Sequence, residues 1–252
     1  MKAVIIGGSG LIGSGVAAAL EAAGHQVLRA SPRTGVDAVT GRGLADALAG
    51  ADVVIDVANS PSFAPDDVMA FFTRSTANLL AAARAAGVGH YVALSVVGTE
   101  RERVNAYFAA KRAQERLIEA GGVPWTLVRA TQFFEFGAAI GETCARDGAL
   151  HVTPALVQPI AAADVARAVA DAALAAPRGV REIAGPEAFG LDAFVRRTAA
   201  AAGDARPVIA DPAATYFGAP IDDASLRPLG DAFIAPTRLD DWLAARAAAS
   251  AA

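Results

Sequence analysis

Residues 2–23 constrain this chain more than any other stretch. Lys2–Ile6 is a short apolar run, Gly7-Gly8-Ser9-Gly10-Leu11-Ile12-Gly13 follows at once, and Val16–Ala23 continues at helical spacing. That order is strand, glycine-rich turn, helix. In such a unit the helix N-terminus offers unpaired N–H groups and a positive dipole end to a pyrophosphate. Gly7, Gly10 and Gly13 recur at every third position, a sister of the G-x-G-x-x-G spacing. The glycines permit a tight turn, close backbone approach to phosphate, and close packing of helix on strand. Gly7, Ser9, Gly10, Leu11, Ile12 and Gly13 are therefore the expected contacts to a dinucleotide.

Alternation continues downstream, as a parallel sheet covered on both faces requires. The pattern predicts strands at Gln26–Ala30, Ala51–Val57, His90–Val97 and Trp125–Ala130, with a short one at Val36–Val39. It predicts helices at Leu44–Leu48, Asp66–Ala86 and Tyr107–Ala120. The strand runs are solid rather than alternating, which suits strands buried on both faces. Beyond Thr131 the rhythm changes. Phe133, Phe134 and Phe136 precede a helix expected to reach Asp147. A helix follows over Val165–Leu174, a last strand at Arg181–Ala184, and a final helix around Trp242. The fold class is thus α/β, a Rossmann-type doubly wound parallel sheet with a small C-terminal substrate lobe. Residues 1–133 form the expected dinucleotide-binding core. Residues 134–252 supply sheet-completing elements interleaved with the substrate-side lobe.

Two further stretches carry chemistry. An NAD-preferring site places a carboxylate at the end of the second strand. Here Arg29-Ala30-Ser31-Pro32-Arg33 stands instead, and no carboxylate follows until Asp37. A hydroxyl and guanidinium groups suit a 2′-phosphate, so Ser31 and Arg33 point to NADP(H), with NAD(H) the alternative; the plainer reading is solvated surface charge. Tyr107 and Lys111 lie four apart on a predicted helix and so project side by side. A phenol titrates near ~10 when unperturbed, and a neighbouring ammonium would lower that value and favour acid–base work. Ser95, at the end of the preceding strand, would hold a substrate carbonyl against Tyr107. The competing reading is a surface helix whose lysine only binds ribose.

Together these residues resemble the short-chain dehydrogenase/reductase superfamily, and within it the atypical, NmrA-like NAD(P)-binding branch. The likeness rests on Gly7–Gly13, on Ala51–Val57 with Ala58-Asn59, on Gly87-Val88 leading to Tyr91–Ser95, and on Pro124–Arg129 followed by Thr131-Gln132-Phe133. Gln158-Pro159-Ile160 before Asp164-Val165-Ala166, and Ala184-Gly185-Pro186-Glu187, carry it to about residue 200. The resemblance implies a seven-stranded Rossmann sheet, with Val57, Ala58 and Asn59 bordering the cofactor. It also implies that Ser95, Tyr107 and Lys111 match the catalytic positions, Lys111 holding the nicotinamide ribose. The gap from Ser95 to Tyr107 is nearer to that of the smaller dehydrogenases than to that of the extended epimerases. Many NmrA-like members lack the tyrosine and act as redox sensors; its presence here favours an enzyme.

Gln132 is a candidate polar contact near the nicotinamide, and Phe133, Phe134 and Phe136 are candidate walls of an apolar pocket. His25, His90 and His151 stand singly without metal-ligand spacing, so no metal is expected. The net charge of −4 and the absence of a basic stripe give nucleic-acid binding no support. The single cysteine, Cys144, excludes an internal disulfide. No apolar run reaches membrane-spanning length, and a strand starting at residue 2 leaves no room for a signal peptide ahead of the fold. The expected location is the cytoplasm. The expected function is NADP(H)-dependent reduction of a small, largely apolar carbonyl or quinone. The alternatives are a non-catalytic NADP redox sensor that binds a protein partner, and a sugar-nucleotide epimerase or dehydratase that retains NAD. Oligomeric state is left open.

Overall fold

The computed structural model describes residues 1–101 and 105–250. The chain alternates β1 (Lys2–Ile6), α1 (Leu11–Ala22), β2 (Gln26–Ala30), α2 (Leu44–Leu48), β3 (Val53–Asp56), α3 (Pro65–Ala85), β4 (His90–Val96), α4 (Ala106–Ala120) and β5 (Trp125–Ala130). Next come α5 (Gly137–Thr143), β6 (Ala145–Arg146), β7 (Ala149–Val152), β8 (Leu156–Val157) and α6 (Ala162–Leu174). The chain closes with β9 (Gly179–Ala184), β10 (Phe189–Gly190), α7 (Leu191–Ala201), β11 (Val208–Ala210), β12 (Phe233–Ile234) and α8 (Leu239–Ser250). The main sheet has seven strands in the order β12-β9-β5-β4-β3-β1-β2. β1 pairs in parallel with β2 and with β3, placing Ile6 beside Ala30 and beside Asp56. This is the Rossmann-type α/β architecture that the alternation predicts.

Two compact units emerge from the chain. The first comprises residues 1–99, 106–129 and 165–181, the second residues 100–105, 130–164 and 182–252. Within the first unit, Val4, Ile6 and Val54 of the strands pack with Leu79, Leu80 and Ala83 of α3, Tyr91 of β4 and Ile118 of α4. A smaller cluster joins Val68 and Phe72 of α3 to Ala110 of α4, with Tyr107 packed against it. In the second unit, Phe134 is fully buried against the rings of Phe194 and Trp242. Two small sheets accompany that core, β11-β7-β6 and β10-β8.

Three local expectations are corrected. Val36–Val39 is not a strand. The Asp37 carboxylate accepts the N–H groups of Val39 and Thr40, and Asn78 Nδ2 donates to the carbonyls of Ala38 and Val39. Side chains there satisfy the backbone groups that a strand ladder would use. The helix expected to reach Asp147 stops at Thr143. Asp147 and Gly148 both take positive φ (51° and 76°) and close a hairpin between β6 and β7, as a D-G pair favours. Finally, β9 is not the last strand: Phe233 and Ile234 add β12 beside Ile183 and Ala184.

Candidate active site

The phosphate end of the site is built by glycines. Gly7 leaves β1 with φ +82°, and a Cβ on it would lie 2.9 Å from Ala58 Cα and backbone N. A Cβ on Gly13 would meet Gly7 O at 2.2 Å. The turn therefore closes only without side chains, and it brings the end of β1 against Val57 and Ala58. Gly10 is the N-cap of α1, with no side-chain cap and no acidic residue in the first turn. The first N–H groups of α1 consequently have no competing anion. Ser9, Gly10 and Leu11 are exposed here, and Ile12 and Gly13 are buried behind them. Asn59 is exposed at the neighbouring strand end, its Oδ1 accepting from the Ser60 N–H. These residues fit a dinucleotide pyrophosphate: an anion-ready helix end beside a turn that a single methyl group would block.

After β2, Ser31 is buried and its N–H donates to Thr34 Oγ1. Arg29 is committed to Glu21, with Nη2 to Oε2 at 2.7 Å. Arg33 is exposed, and among the described residues no acceptor is recorded for its guanidinium. The Asp37 carboxylate is held in its turn, where those hydrogen bonds and the nearby Arg42 keep its carboxyl below the ordinary range.

The chemistry end is organised by α4, which buries Phe108, Ala110, Lys111, Gln114, Glu115 and Ile118. Tyr107 is half-buried, its ring 5.8 Å from those of Phe63 and Phe72 and 6.3 Å from that of Phe108. Burial alone pushes its phenol up to about 12. The expected lowering by Lys111 is thereby corrected. Lys111 Nζ instead donates to Leu94 O at 2.8 Å and to Gln114 Oε1, and lies 4.4 Å from the centre of the Phe72 ring. Burial brings Lys111 down to about 8, against the opposing pull of Asp56 and Glu115.

Ser95 has a partner that the sequence did not show. Its hydroxyl donates to Glu115 Oε1 at 2.7 Å. A hydroxyl has one proton, so none remains for a substrate carbonyl oxygen while that bond stands. Glu115 also accepts from Thr99 Oγ1 and, through both carboxylate oxygens, from Arg129 at 2.9 and 2.8 Å. Those partners hold the Glu115 carboxyl below its ordinary value despite its burial.

Sequence reasoning missed a second buried carboxylate. Asp56 ends β3 and accepts from Tyr91 Oη and Gln114 Nε2, each at 2.9 Å, and from the Ala58 N–H. Burial raises its carboxyl, and the Lys111 charge acts in the opposite direction. The available signal was a lone carboxylate inside the apolar run Val53–Val57, where a charge must find partners.

Of the expected pocket residues, Gln132 is buried and neither its Oε1 nor its Nε2 has a partner. Phe133 stacks on Phe136 with ring centres 5.4 Å apart, and Phe136 is exposed. Phe134 is a core side chain, which corrects its place in the pocket. Among the described residues no group of three or more His, Cys, Asp or Glu is arranged to hold a metal ion, and no helix is long and apolar enough to cross a membrane.

A Rossmann sheet with a glycine-built phosphate turn defines a dinucleotide-binding protein. Residues 7–176 match the NAD(P)H-binding family, and the chain belongs to it. One relative is the (4-alkanoyl-5-oxo-2,5-dihydrofuran-3-yl)methyl phosphate reductase of Streptomyces griseus subsp. griseus, 34% identical over 143 residues. That match covers 52% of this chain and 47% of the relative, so it spans about half the relative's length. The fold is shared with a dTDP-4-dehydrorhamnose reductase of Clostridium acetobutylicum (TM-score 0.75, 18% identity, 99% of this chain and 100% of the other). It is shared too with MoeE5 in complex with UDP-glucose and NAD (TM-score 0.73, 21% identity, all of both chains). A third is the dTDP-4-dehydrorhamnose reductase of Bacillus anthracis in complex with NADP (TM-score 0.70, 14% identity, 97% and 98%).

Proposed function

We propose that this protein is an NADP(H)-dependent oxidoreductase that reduces a small, largely apolar carbonyl or quinone. The observation that carries the reading is the state of Tyr107. A phenol held near 12 keeps its proton at neutral pH. It can still give that proton to the oxygen of a carbonyl under reduction, because an alkoxide is a stronger base than a phenolate. A protonated phenol is the form that carbonyl reduction needs. The bound nicotinamide supplies the hydride. Tyr107 delivers the proton to the substrate oxygen, and Lys111 holds the ribose hydroxyls.

Phe63 and Phe72 give the phenol apolar walls, which suits an apolar substrate. Ser95 enters through Glu115, fastening α4 to β4. Within the second unit, Gln132 is buried with both amide atoms unpartnered, as suits a polar ligand contact, and Phe133 stacks on Phe136. NADP(H) is the preferred form in this reading because Arg33 is exposed with no recorded acceptor among the described residues, while Asp37 is engaged with Val39 and Thr40. The Streptomyces relative, named as a reductase, lends support. The expected partner is a small molecule and the expected location the cytoplasm.

The test is NADPH consumption with a panel of aldehydes, ketones and quinones, alongside cofactor titration. Tyr107→Phe should lose about a hundredfold or more in turnover with unchanged NADPH affinity. Arg33→Ala should weaken NADPH by about tenfold and leave NADH unaffected. Full activity of Tyr107→Phe would end the mechanism. Binding of NADPH without turnover of any compound would move the reading to a sensor.

A further inference from the structure

We propose that Asp56, acting through Gln114, is a positioning residue that holds the Lys111 ammonium in one orientation for the ribose hydroxyls of the bound cofactor. This deepens the role given to Lys111 above and rests on it. Asp56 Oδ2 takes the Tyr91 hydroxyl and the Gln114 amide N–H, both at 2.9 Å. A carboxylate demands a donor, so the Gln114 amide must turn its Nε2 to Asp56 and its Oε1 the other way. That oxygen is the one that Lys111 Nζ meets. The carboxylate on β3 thus sets the face of an amide on α4, and the amide sets the ammonium.

An ammonium has three protons. Leu94 O takes one and Gln114 Oε1 a second. The third has no acceptor among the described residues. Every element around the group contributes to its placement: Asp56 from β3, the Leu94 carbonyl from β4, the Phe72 ring from α3, and Gln114 and Glu115 from α4. Residue type supports the same reading. Lys2 and Lys111 are the only lysines among 22 basic side chains, the rest being arginine. An arginine stays charged wherever it is put, whereas the charge of a buried lysine depends on its neighbours. Burial brings Lys111 down to about 8, and Asp56 and Glu115 both oppose that fall, so the Asp56 carboxylate favours its charged form.

The composition makes a direct measurement possible. Protein labelled with 15N at the lysine Nζ carries two side-chain signals, Lys2 and Lys111. In Asp56→Asn the Lys111 midpoint should fall by about one to three pH units while that of Lys2 stays in place. NADPH affinity at pH 7.5 should weaken by about tenfold. An unmoved Lys111 midpoint, or a moved midpoint with unchanged NADPH affinity, overturns the proposal. Should Asp56→Asn fail to fold, Gln114→Leu removes the bridge and keeps the carboxylate. Its NADPH affinity should fall by about threefold, and unchanged affinity there overturns the proposal as well. Lys111→Met separates the two levels: if it binds NADPH as well as the wild type, the ribose role of Lys111 is wrong, and a shifted Lys111 signal in Asp56→Asn would then report a contact without a function.

Discussion

Helix α4 carries two buried polar clusters whose charges are balanced in different ways. Glu115 faces Arg129 through a paired contact, adds Ser95 and Thr99, and receives Arg112 at 3.0 Å from its outer side. Its carboxyl is held below the ordinary range although the side chain has no exposed surface. One turn earlier, Asp56 and Lys111 are coupled through an amide, and burial wins at both: the acid is raised and the base is lowered. The first cluster is satisfied as an ion pair should be when it only holds a helix to a sheet. The second keeps two groups away from their ordinary values, a condition associated with functional sites. A single helix thus separates fastening from chemistry by the quality of its ion pairing.

The largest expected effect tests the fastening side. Glu115→Ala takes the paired carboxylate contact from the buried Arg129 guanidinium and should cost about 3–5 kcal/mol of unfolding free energy in urea titration. A loss under about 1 kcal/mol would mean that the cluster is far wetter than its burial implies.

The next concerns the chemistry side and its pH dependence. Lys111 titrates at about 8 in the folded chain against 10.5 for an ordinary lysine. Below pH 8 both states hold the proton, and its burial disfavours folding in full. Between 8 and 10.5 the unfolded chain binds more protons, so stability rises with pH across that window. Relative to Lys111→Met, the wild type should gain about 3 kcal/mol from pH 8 to pH 10.5. A flat difference would show that Lys111 titrates like an exposed lysine and would erase the contrast between the clusters.

The smallest effect sharpens the border between them. Ser95→Ala removes one of several donors to Glu115 and should cost about 1 kcal/mol, with turnover changed less than about threefold. A loss of about a hundredfold in turnover with little change in stability would return Ser95 to the substrate.

The sequence made the glycine turn and the Tyr107–Lys111 pair legible because each is a short-range pattern: three glycines at fixed spacing, two side chains one helical turn apart. The seven-stranded sheet was nearly legible for the same reason, since solid apolar runs mark its inner strands. β12 escaped because it is two exposed residues, Phe233 and Ile234, with no run to mark it. Val36–Val39 misled because its apolar content hid an aspartate that turns the chain.

What the sequence by itself determined, then, was the phosphate-binding turn, the order of the central elements and the residues eligible for acid–base work. Tertiary structure alone decided their charge states and partners. Asp56 and Gln114 are 58 positions apart, and Arg129 and Glu115 are 14 apart. Local periodicity places each on its strand or helix and is silent on which will meet. A buried charge takes its energy from the few groups within hydrogen-bonding reach. Only the folded chain brings the Tyr91 hydroxyl to Asp56, the Ser95 proton to Glu115 and a ring of phenyl groups around Tyr107.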